Sequence, residues 1–514
     1  MRTAVQAQVP AAAKDRPSVA SPRNRVCSNQ ATPNAEEGSA PDERYRYDLL
    51  VIGAGPAGLA AARGAAAAGV RVALIESHHI GGNSLHEGCI PSKTLLRSAQ
   101  LIAEMRNAPN VGVGAPTEID VDFAAVMTRM RRVRDRILRV DSPARLRAEG
   151  IELHVGRARF AGADAVDVDG TRLRFRKALI ASGSHPLVPD IEGLAAAGFM
   201  TNETVFELTR LPPSLLVIGG GPLGCELAQA FARFGSRTLI CHSEPLFLPK
   251  EERDAAQAVS HALARDGVEI HLNCNIVAVH LEGGRKHVTM VTNGNVSTTV
   301  VDEILTGIGR LPAVQGLDLD KAGVAYDVET GIEVDDFLRT RNPRIFAAGD
   351  VCLGHRFTNT AEASAGIAVR NALFRGRQRV SALTVPWCTY TDPQVAHVGL
   401  YVRQARAQGI PVKTYTVPMH DVVRAITDGE EEGFVKVHVR DGTDRILGAT
   451  IVGRCAGEMI NNISLAMVAG LGLRRLARVI HAYPTQGEAV RQAAQACVQS
   501  LAAGVPATNK EEAP

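Results

Sequence analysis

The sequence carries two glycine turns of the kind that cradle phosphate. The first, Gly53-Ala54-Gly55-Pro56-Ala57-Gly58, follows the β-rich run Tyr47-Asp48-Leu49-Leu50-Val51-Ile52 and opens a helical stretch from Leu59 to Ala68. Glycines there allow a tight turn and a close approach of backbone to a pyrophosphate, which then sits at the positive end of the helix. A second strand, Arg71 to Ile75, ends on Glu76, about twenty residues after the glycines, where a carboxylate can bind both ribose hydroxyls. The other turn, Gly219-Gly220-Gly221-Pro222-Leu223-Gly224, lies between the apolar run Ser214 to Ile218 and a helix from Cys225 to Phe234. Two such units imply two nucleotides. The strand Arg237 to Cys241 ends at His242, where a site selecting NAD would present an acid. With Lys250 close by, His242 leans toward NADPH over NADH, although no arginine cluster follows. The alternative for His242 is a solvent-exposed histidine at a strand end.

Between the turns stands Cys89, close to the start of a predicted helix, a position that lowers a thiol pKa. Ser84 lies five residues before it. A thiol at each place would let electrons enter a disulfide and leave by thiol exchange; a hydroxyl oxygen cannot take part. The Cys89 thiol can form a sulfenate, with inert packing as the alternative. Cys225, Cys241, Cys274, Cys352, Cys388 and Cys455 sit in apolar segments and are expected in the core. Nine cysteines without paired spacing suit a reducing, cytoplasmic setting.

The elements that must position these groups need more than one core. A chain of 514 residues fits about three domains. A formal charge of +3 shows no bias toward nucleic acid or anionic membranes. The basic run Arg129 to Arg139 has the apolar spacing of an amphipathic surface helix, so no nucleic-acid partner is expected. The Ala-rich segment Leu59 to Ile75 is broken by Arg63 and Arg71, and no membrane span is expected. Residues 1–44 and 506–514 read as disordered tails without apolar periodicity. Asp15 is the only acid before Glu36, which leaves a transit peptide open, but a floppy bacterial-type extension is preferred.

In order along the chain, these residues resemble the class I pyridine nucleotide-disulfide oxidoreductases, the family of lipoamide dehydrogenase, glutathione reductase and mercuric reductase. The resemblance runs from about residue 45 to 500. Beyond the glycine turns it includes Gly88-Cys89-Ile90-Pro91-Ser92-Lys93, Ala181-Ser182-Gly183-Ser184, Gly307-Ile308-Gly309-Arg310-Leu311-Pro312, Phe346-Ala347-Ala348-Gly349-Asp350 and Pro386 to Pro393. It implies an α/β fold with two Rossmann-like dinucleotide-binding domains and a C-terminal α+β dimerisation domain, assembled as a homodimer. The FAD-binding domain would span 45–194 and 314–383, the NAD(P)-binding domain 195–313 and the dimerisation domain 384–505. Gly53, Gly55, Gly58 and Glu76 would hold the ADP half of FAD. Gly156, Ser182, Gly183 and Ser184 would lie along the same cofactor, and Asp350 would bind its ribityl chain. Gly219, Gly221 and Gly224 would take the pyrophosphate of NADPH or NADH, with Gly309 near the nicotinamide. Lys93 and Glu226 look like the family's ion pair beside the flavin, and the resemblance implies that Cys89 faces the flavin, where it would tune the flavin potential.

The chain also departs from that pattern. Ser84 replaces the family's first redox cysteine, and Tyr483 stands where a proton-shuttling histidine is supplied by the second subunit. A phenol with a pKa of about 10 is a poor shuttle at neutral pH beside an imidazole near 6.5. Glu488 keeps the spacing of the carboxylate that would orient that histidine, or is simply an acid at a helix N-terminus. The Tyr-Pro-Thr ending is similar to the mercuric-reductase-like branch and to soluble transhydrogenases. Mercuric handling needs soft thiolate pairs, yet the N-terminal tail offers only Cys27 and the C-terminus only Cys497. The leading expectation is an FAD enzyme that takes hydride from NAD(P)H and reduces a small acceptor: a quinone, dye, oxygen or metal ion. A transhydrogenase, a single-cysteine disulfide or mercuric reductase, and a non-catalytic flavin-binding sensor or scaffold are the alternatives.

Overall fold

The computed structural model describes residues 45–503, so the tails expected at 1–44 and 506–514 lie outside the described residues. The run Tyr47–Ile52 is the central strand of a parallel sheet, between Val72–Glu76 and Thr171–Ile180. Ile151–Val155 and Ile345–Ala347 extend this sheet on either side, again parallel. Leu50, Val51 and Leu74 are fully buried, as a sheet covered on both faces requires. Helices Pro56–Ala67 and Thr358–Leu373 pack through Ala57, Ala61, Ala65, Ala361 and Ala365, whose small side chains let the two approach closely. The first helix starts at Pro56, before the expected Leu59, because proline in a first turn has no N–H to lose. Arg71 stays outside its strand and bonds Asp48, Nε to Oδ2 at 3.0 Å.

After Ile180 the chain leaves this sheet and builds a second one, returning at Ile345–Ala347. The second sheet is also parallel, with Ser214–Ile218 between Arg237–Cys241 and Glu303–Thr306, and Glu269–His271 at its edge. A three-stranded antiparallel meander, Cys274–Glu282, Arg285–Thr292 and Asn295–Val301, adjoins it. Helix Pro222–Phe234 shares a buried cluster with helix Cys89–Asn107, through Phe231 and Ala228 on one and Leu95, Ala99 and Ile102 on the other.

The C-terminal region is a five-stranded antiparallel sheet in the order Pro386–Thr389, Gln394–Gly399, Ile446–Gly453, Phe434–Arg440, Val412–Pro418. Helices Ala456–Val468 and Glu488–Ala503 bury Ile460, Ile463, Val490 and Ala494 in its core. Leu465, Val468 and Ile480 are left exposed. The mixed α/β architecture is the one expected.

The basic run lies on helix Phe123–Leu138, which turns Phe123, Met127 and Met130 inward. Its arginines are partly spent inside the protein, Arg129 on the Thr94 carbonyl at 3.1 Å and Arg134 on Glu207 at 3.0 Å. No helix among the described residues is long and apolar enough to cross a membrane. One expectation is corrected. Cys455 is exposed, because it caps helix Ala456–Val468 at the rim of the domain, outside the packed face.

Candidate active site

The groups expected to bind the first nucleotide converge at the carboxyl ends of the first sheet, where open α/β sheets bind ligands. A Cβ on Gly58 would stand 1.8 Å from the Gly53 carbonyl oxygen, so helix Pro56–Ala67 can meet the turn only through a glycine. Gly55 caps that helix and leaves its first amides free of side-chain partners. Glu76 ends the neighbouring strand and reaches back. Its Oε2 accepts from Ala54 N at 2.7 Å and its Oε1 from His78 N at 2.8 Å. Gly156 N donates to the Glu76 carbonyl at 2.8 Å, which puts Gly156 at the same end.

One strand over, Ser182, Gly183 and Ser184 follow Ile180. Ser182 Oγ donates to the Ala313 carbonyl at 2.8 Å, and Ser184 Oγ donates to Asp350 Oδ2 at 2.6 Å. Arg310 Nε and Nη2 donate to Ser184 Oγ and O at 2.8 and 2.7 Å, and Asn83 Nδ2 donates to the same carbonyl at 2.7 Å. The cradle without room for a side chain, the helix N-terminus without a side-chain cap and the strand-end carboxylate fit an adenine dinucleotide such as FAD.

The second turn repeats this construction. A Cβ on Gly224 would lie 2.3 Å from the Gly219 carbonyl oxygen, and one on Gly219 would lie 2.7 Å from the Gly307 carbonyl oxygen. Gly221 caps helix Pro222–Phe234, and Gly309 precedes the strand Arg310–Pro312. His242 follows Arg237–Cys241, and its Nδ1 accepts from Gly220 N at 3.3 Å. That bond assigns the proton of the neutral ring to Nε2, which is buried without a partner.

Between the cradles, helix Cys89–Asn107 places Cys89 at its first position and Lys93 one turn on. Lys93 Nζ lies 2.7 Å from Glu226 Oε2, with the Glu226 side chain 3% exposed and that of Lys93 33%. Glu226 Oε1 accepts from Tyr390 N at 2.9 Å, and the Lys93 ammonium lies 4.6 Å from the Tyr390 ring centroid. Because Glu226 belongs to helix Pro222–Phe234, this pair ties one nucleotide unit to the other. Cys89 is exposed, and its Sγ lies 3.7 Å from Thr358 Oγ1. Ser84 Oγ lies 2.9 Å from that same Thr358 hydroxyl.

Tyr483 and Glu488 take no part in these contacts. Tyr483 is 70% exposed. Glu488 heads helix Glu488–Ala503 and pairs with Arg491, whose hydrogen bond holds the carboxyl below its usual range. His481 Nδ1 lies 3.0 Å from the Gly487 carbonyl oxygen. Sequence reasoning missed Thr358, Tyr390 and Asn83 and gave Arg310 no role. Asn83, Arg310 and Tyr390 lie within motifs that could have pointed to them, whereas Thr358 does not.

Known proteins share both halves of this arrangement. The family model for pyridine nucleotide-disulphide oxidoreductase matches residues 47–368, and the model for that family's dimerisation domain matches residues 385–494. A mercuric reductase of Lysinibacillus sphaericus is 34% identical over 448 residues, covering 87% of this chain and 82% of the relative. A dihydrolipoyl dehydrogenase of Thermus scotoductus is 34% identical over 462 residues, covering 88% and 97%. Among solved structures, the Cu(II) complex of a cysteine-to-serine mutant of the HOCl-induced flavoprotein disulfide reductase RclA from Escherichia coli superimposes with a TM-score of 0.78. It is 30% identical and covers 87% of this chain and 98% of that one. LpdA from Mycobacterium tuberculosis gives a TM-score of 0.80 at 27% identity, covering 87% and 99%. The chain belongs to the class I pyridine nucleotide-disulfide oxidoreductases, FAD-dependent enzymes that act on NAD(P)H and carry a dimerisation domain.

Proposed function

We propose that this enzyme passes electrons from NAD(P)H through FAD to a small acceptor, such as a quinone, dye, oxygen or metal ion, without an intrachain redox disulfide. The observation that carries the reading is the contact of Ser84 Oγ with Thr358 Oγ1 at 2.9 Å, beside Cys89. A hydroxyl occupies the place from which a second thiol would exchange electrons, so Cys89 is left without a thiol partner there. When bound, the flavin supplies the hydride-accepting and electron-releasing chemistry.

The protein's own residues bind, orient and hold charge. Gly53, Gly55, Gly58 and Glu76 take the ADP half of FAD, Gly156 and Ser182 to Ser184 line its path, and Asp350 bonds its ribityl chain. Gly219, Gly221 and Gly224 take the NAD(P)H pyrophosphate, Gly309 borders its nicotinamide, and His242 donates from Nε2 to the ribose. Lys93 keeps a positive charge beside the reacting ring, with Glu226 fixing its position. Cys89 tunes that environment as a thiol at a helix N-terminus. Tyr483 and Glu488 supply no imidazole to protonate a leaving thiolate, which argues against the family's dithiol route. FAD binds to 45–194 and 314–383, NAD(P)H to 195–313, and 384–505 joins two copies in a cytoplasmic homodimer. The Cu(II)-bound relative supports keeping a metal ion among the acceptors.

The exposure of Cys89 favours one second reading, exchange through a mixed disulfide on that single thiol. Anaerobic mixing with NADH and NADPH, followed at the flavin's visible absorbance, tests the main reading. Rapid bleaching, with acceptor turnover that survives Cys89→Ser, is expected. Bleaching without turnover after Cys89→Ser moves the assignment to the second reading, and no bleaching with FAD bound removes both.

A further inference from the structure

Cys241 and Cys274 lie beside the His242 position and have no part in the chemistry above. Cys241 ends the strand Arg237–Cys241, Cys274 opens Cys274–Glu282, and each is 2% exposed. Their backbones are tied together. Cys274 N donates to the His242 carbonyl at 3.0 Å, and the Cys241 thiol donates to the Cys274 carbonyl at 3.2 Å. Cys241 is also the register partner of His271, three residues before Cys274. The two hydrogen bonds bring the chain at Cys274 beside the chain at Cys241, and a disulfide spans Cα atoms up to about 7 Å apart.

Both side chains face a buried apolar cluster with Leu239, Val279 and Met290, while their chain neighbours reach the surface. Asn273 and Asn275 on either side of Cys274 are exposed, as is Ser243 just beyond His242. The two thiols are also unequal. The neighbouring Cys241 side chain holds the Cys274 thiol below the usual thiol range, and the same side-chain contact pushes Cys241 up. One sulfur is disposed to attack and the other to resolve.

We propose that Cys241 and Cys274 form an oxidisable dithiol whose closure to a disulfide alters how the His242 strand end receives NAD(P)H. The second half of this proposal rests on the nucleotide site assigned above. Hydrogen peroxide is the oxidant. The Cys274 thiolate attacks one peroxide oxygen and breaks the O–O bond, giving a sulfenic acid and a hydroxide that takes up a proton as water. The Cys241 sulfur then displaces the sulfenic hydroxyl, forming the S–S bond, and its thiol proton leaves with that hydroxyl as a second water. Two thiols lose two electrons, and one peroxide becomes two waters. The bridge joins the residue before His242 to the strand behind it and so shifts the imidazole against Gly220.

The test treats the full-length holoenzyme with hydrogen peroxide, removes the peroxide, unfolds the protein in the presence of iodoacetamide so that buried free thiols are also blocked, and maps its peptides without reductant. A cross-linked peptide holding Cys241 and Cys274, lighter than its two parts by two hydrogens, is expected. KM for NAD(P)H should rise several-fold at unchanged kcat, dithiothreitol should reverse both changes, and Cys274→Ser should abolish both. Separate alkylation of the two cysteines, under conditions that oxidise exposed Cys89, overturns the dithiol. A cross-link with unchanged KM overturns its coupling to the nucleotide. Should NAD(P)H reduce neither form, the functional assignment fails while the peptide map still decides the dithiol. The map on the unmutated protein also decides if Cys274→Ser does not fold.

Discussion

Ser84 Oγ and Thr358 Oγ1 lie 2.9 Å apart, and the Thr358 hydroxyl also faces Cys89 Sγ at 3.7 Å. The serine is held in a hydrogen bond directed at the neighbourhood of the thiol. A sulfur in place of the Ser84 oxygen would keep the helix geometry and add a second exchangeable thiol beside the first.

Ser84→Cys should therefore lose two titratable thiols on oxidation and regain them on reduction, measured by thiol counting on the unfolded protein. Dithiol-dependent turnover should stay low, because Tyr483 stands in the place of the missing imidazole and His481, two residues earlier, is engaged with the Gly487 carbonyl. Unchanged thiol counts in the oxidised and reduced variant would show that the two side chains cannot meet.

The Lys93 and Glu226 pair combines a carboxylate almost fully buried with an ammonium one-third exposed. Removing the cation leaves a buried charge without its partner. Lys93→Met should cost about 2 kcal/mol, between the values for exposed and fully buried pairs. It should also slow flavin reduction by about 10²-fold, the usual effect of losing one oriented charge beside a reacting centre. Adding Glu226→Leu should recover stability but not rate. Denaturant melts and anaerobic stopped-flow absorbance read the two effects separately, and equal recovery of both would make the pair merely structural.

How much of this site was legible in the sequence follows from chain distance. The glycine turns and Glu76 could be read because their spacing encodes a strand, a turn and a helix that fold beside one another. The Lys93 and Glu226 contact joins residues 133 positions apart and was expected only through the family resemblance. The Thr358 contact with Ser84 spans 274 positions and left no local signal, since any hydroxyl at a helix start reads as a cap. Cys455 was misplaced for a related reason. Its apolar neighbours face a core, but the residue itself sits just before the helix that does so.

Gly224 and Gly58 allow the two nucleotide sites to be separated. Gly224→Ala puts a methyl group 2.3 Å from the Gly219 carbonyl, within the second turn alone. The variant should purify with FAD bound yet show KM for NAD(P)H raised at least about tenfold, a loss of roughly 1.4 kcal/mol or more in binding. Gly58→Ala, at 1.8 Å from the Gly53 carbonyl, should instead purify without flavin. Flavin content by absorbance and KM by steady-state kinetics distinguish them, and loss of flavin in both variants would contradict the assignment of separate sites.

Glu251 and Glu252, adjacent in the chain, are expected to respond to pH in opposite directions. Glu251 is buried, and its two oxygens accept from Trp387 Nε1 at 3.1 Å and Tyr401 Oη at 2.7 Å. Burial pushes its carboxyl up, and these two neutral donors offset that only in part. Burial also acts on Glu252, but His438, 3.1 Å away, and Lys436 outweigh it and hold this carboxyl low. A raised folded pKa means that the native state binds the Glu251 proton more tightly than the unfolded chain does. The stability it contributes is present below the unfolded value of about 4.3 and is lost as pH rises through the folded value. For Glu252 the contribution is present above that value and is lost as pH falls through its lowered one. Trp387 is the chain's only tryptophan, so its fluorescence reports the Glu251 proton directly. The emission should titrate at a pH above the ordinary glutamate value, and Glu251→Gln should abolish the titration and remove the loss of stability that accompanies rising pH through that value. An unchanged fluorescence titration in Glu251→Gln would assign the event to another group and remove Glu251 from the account.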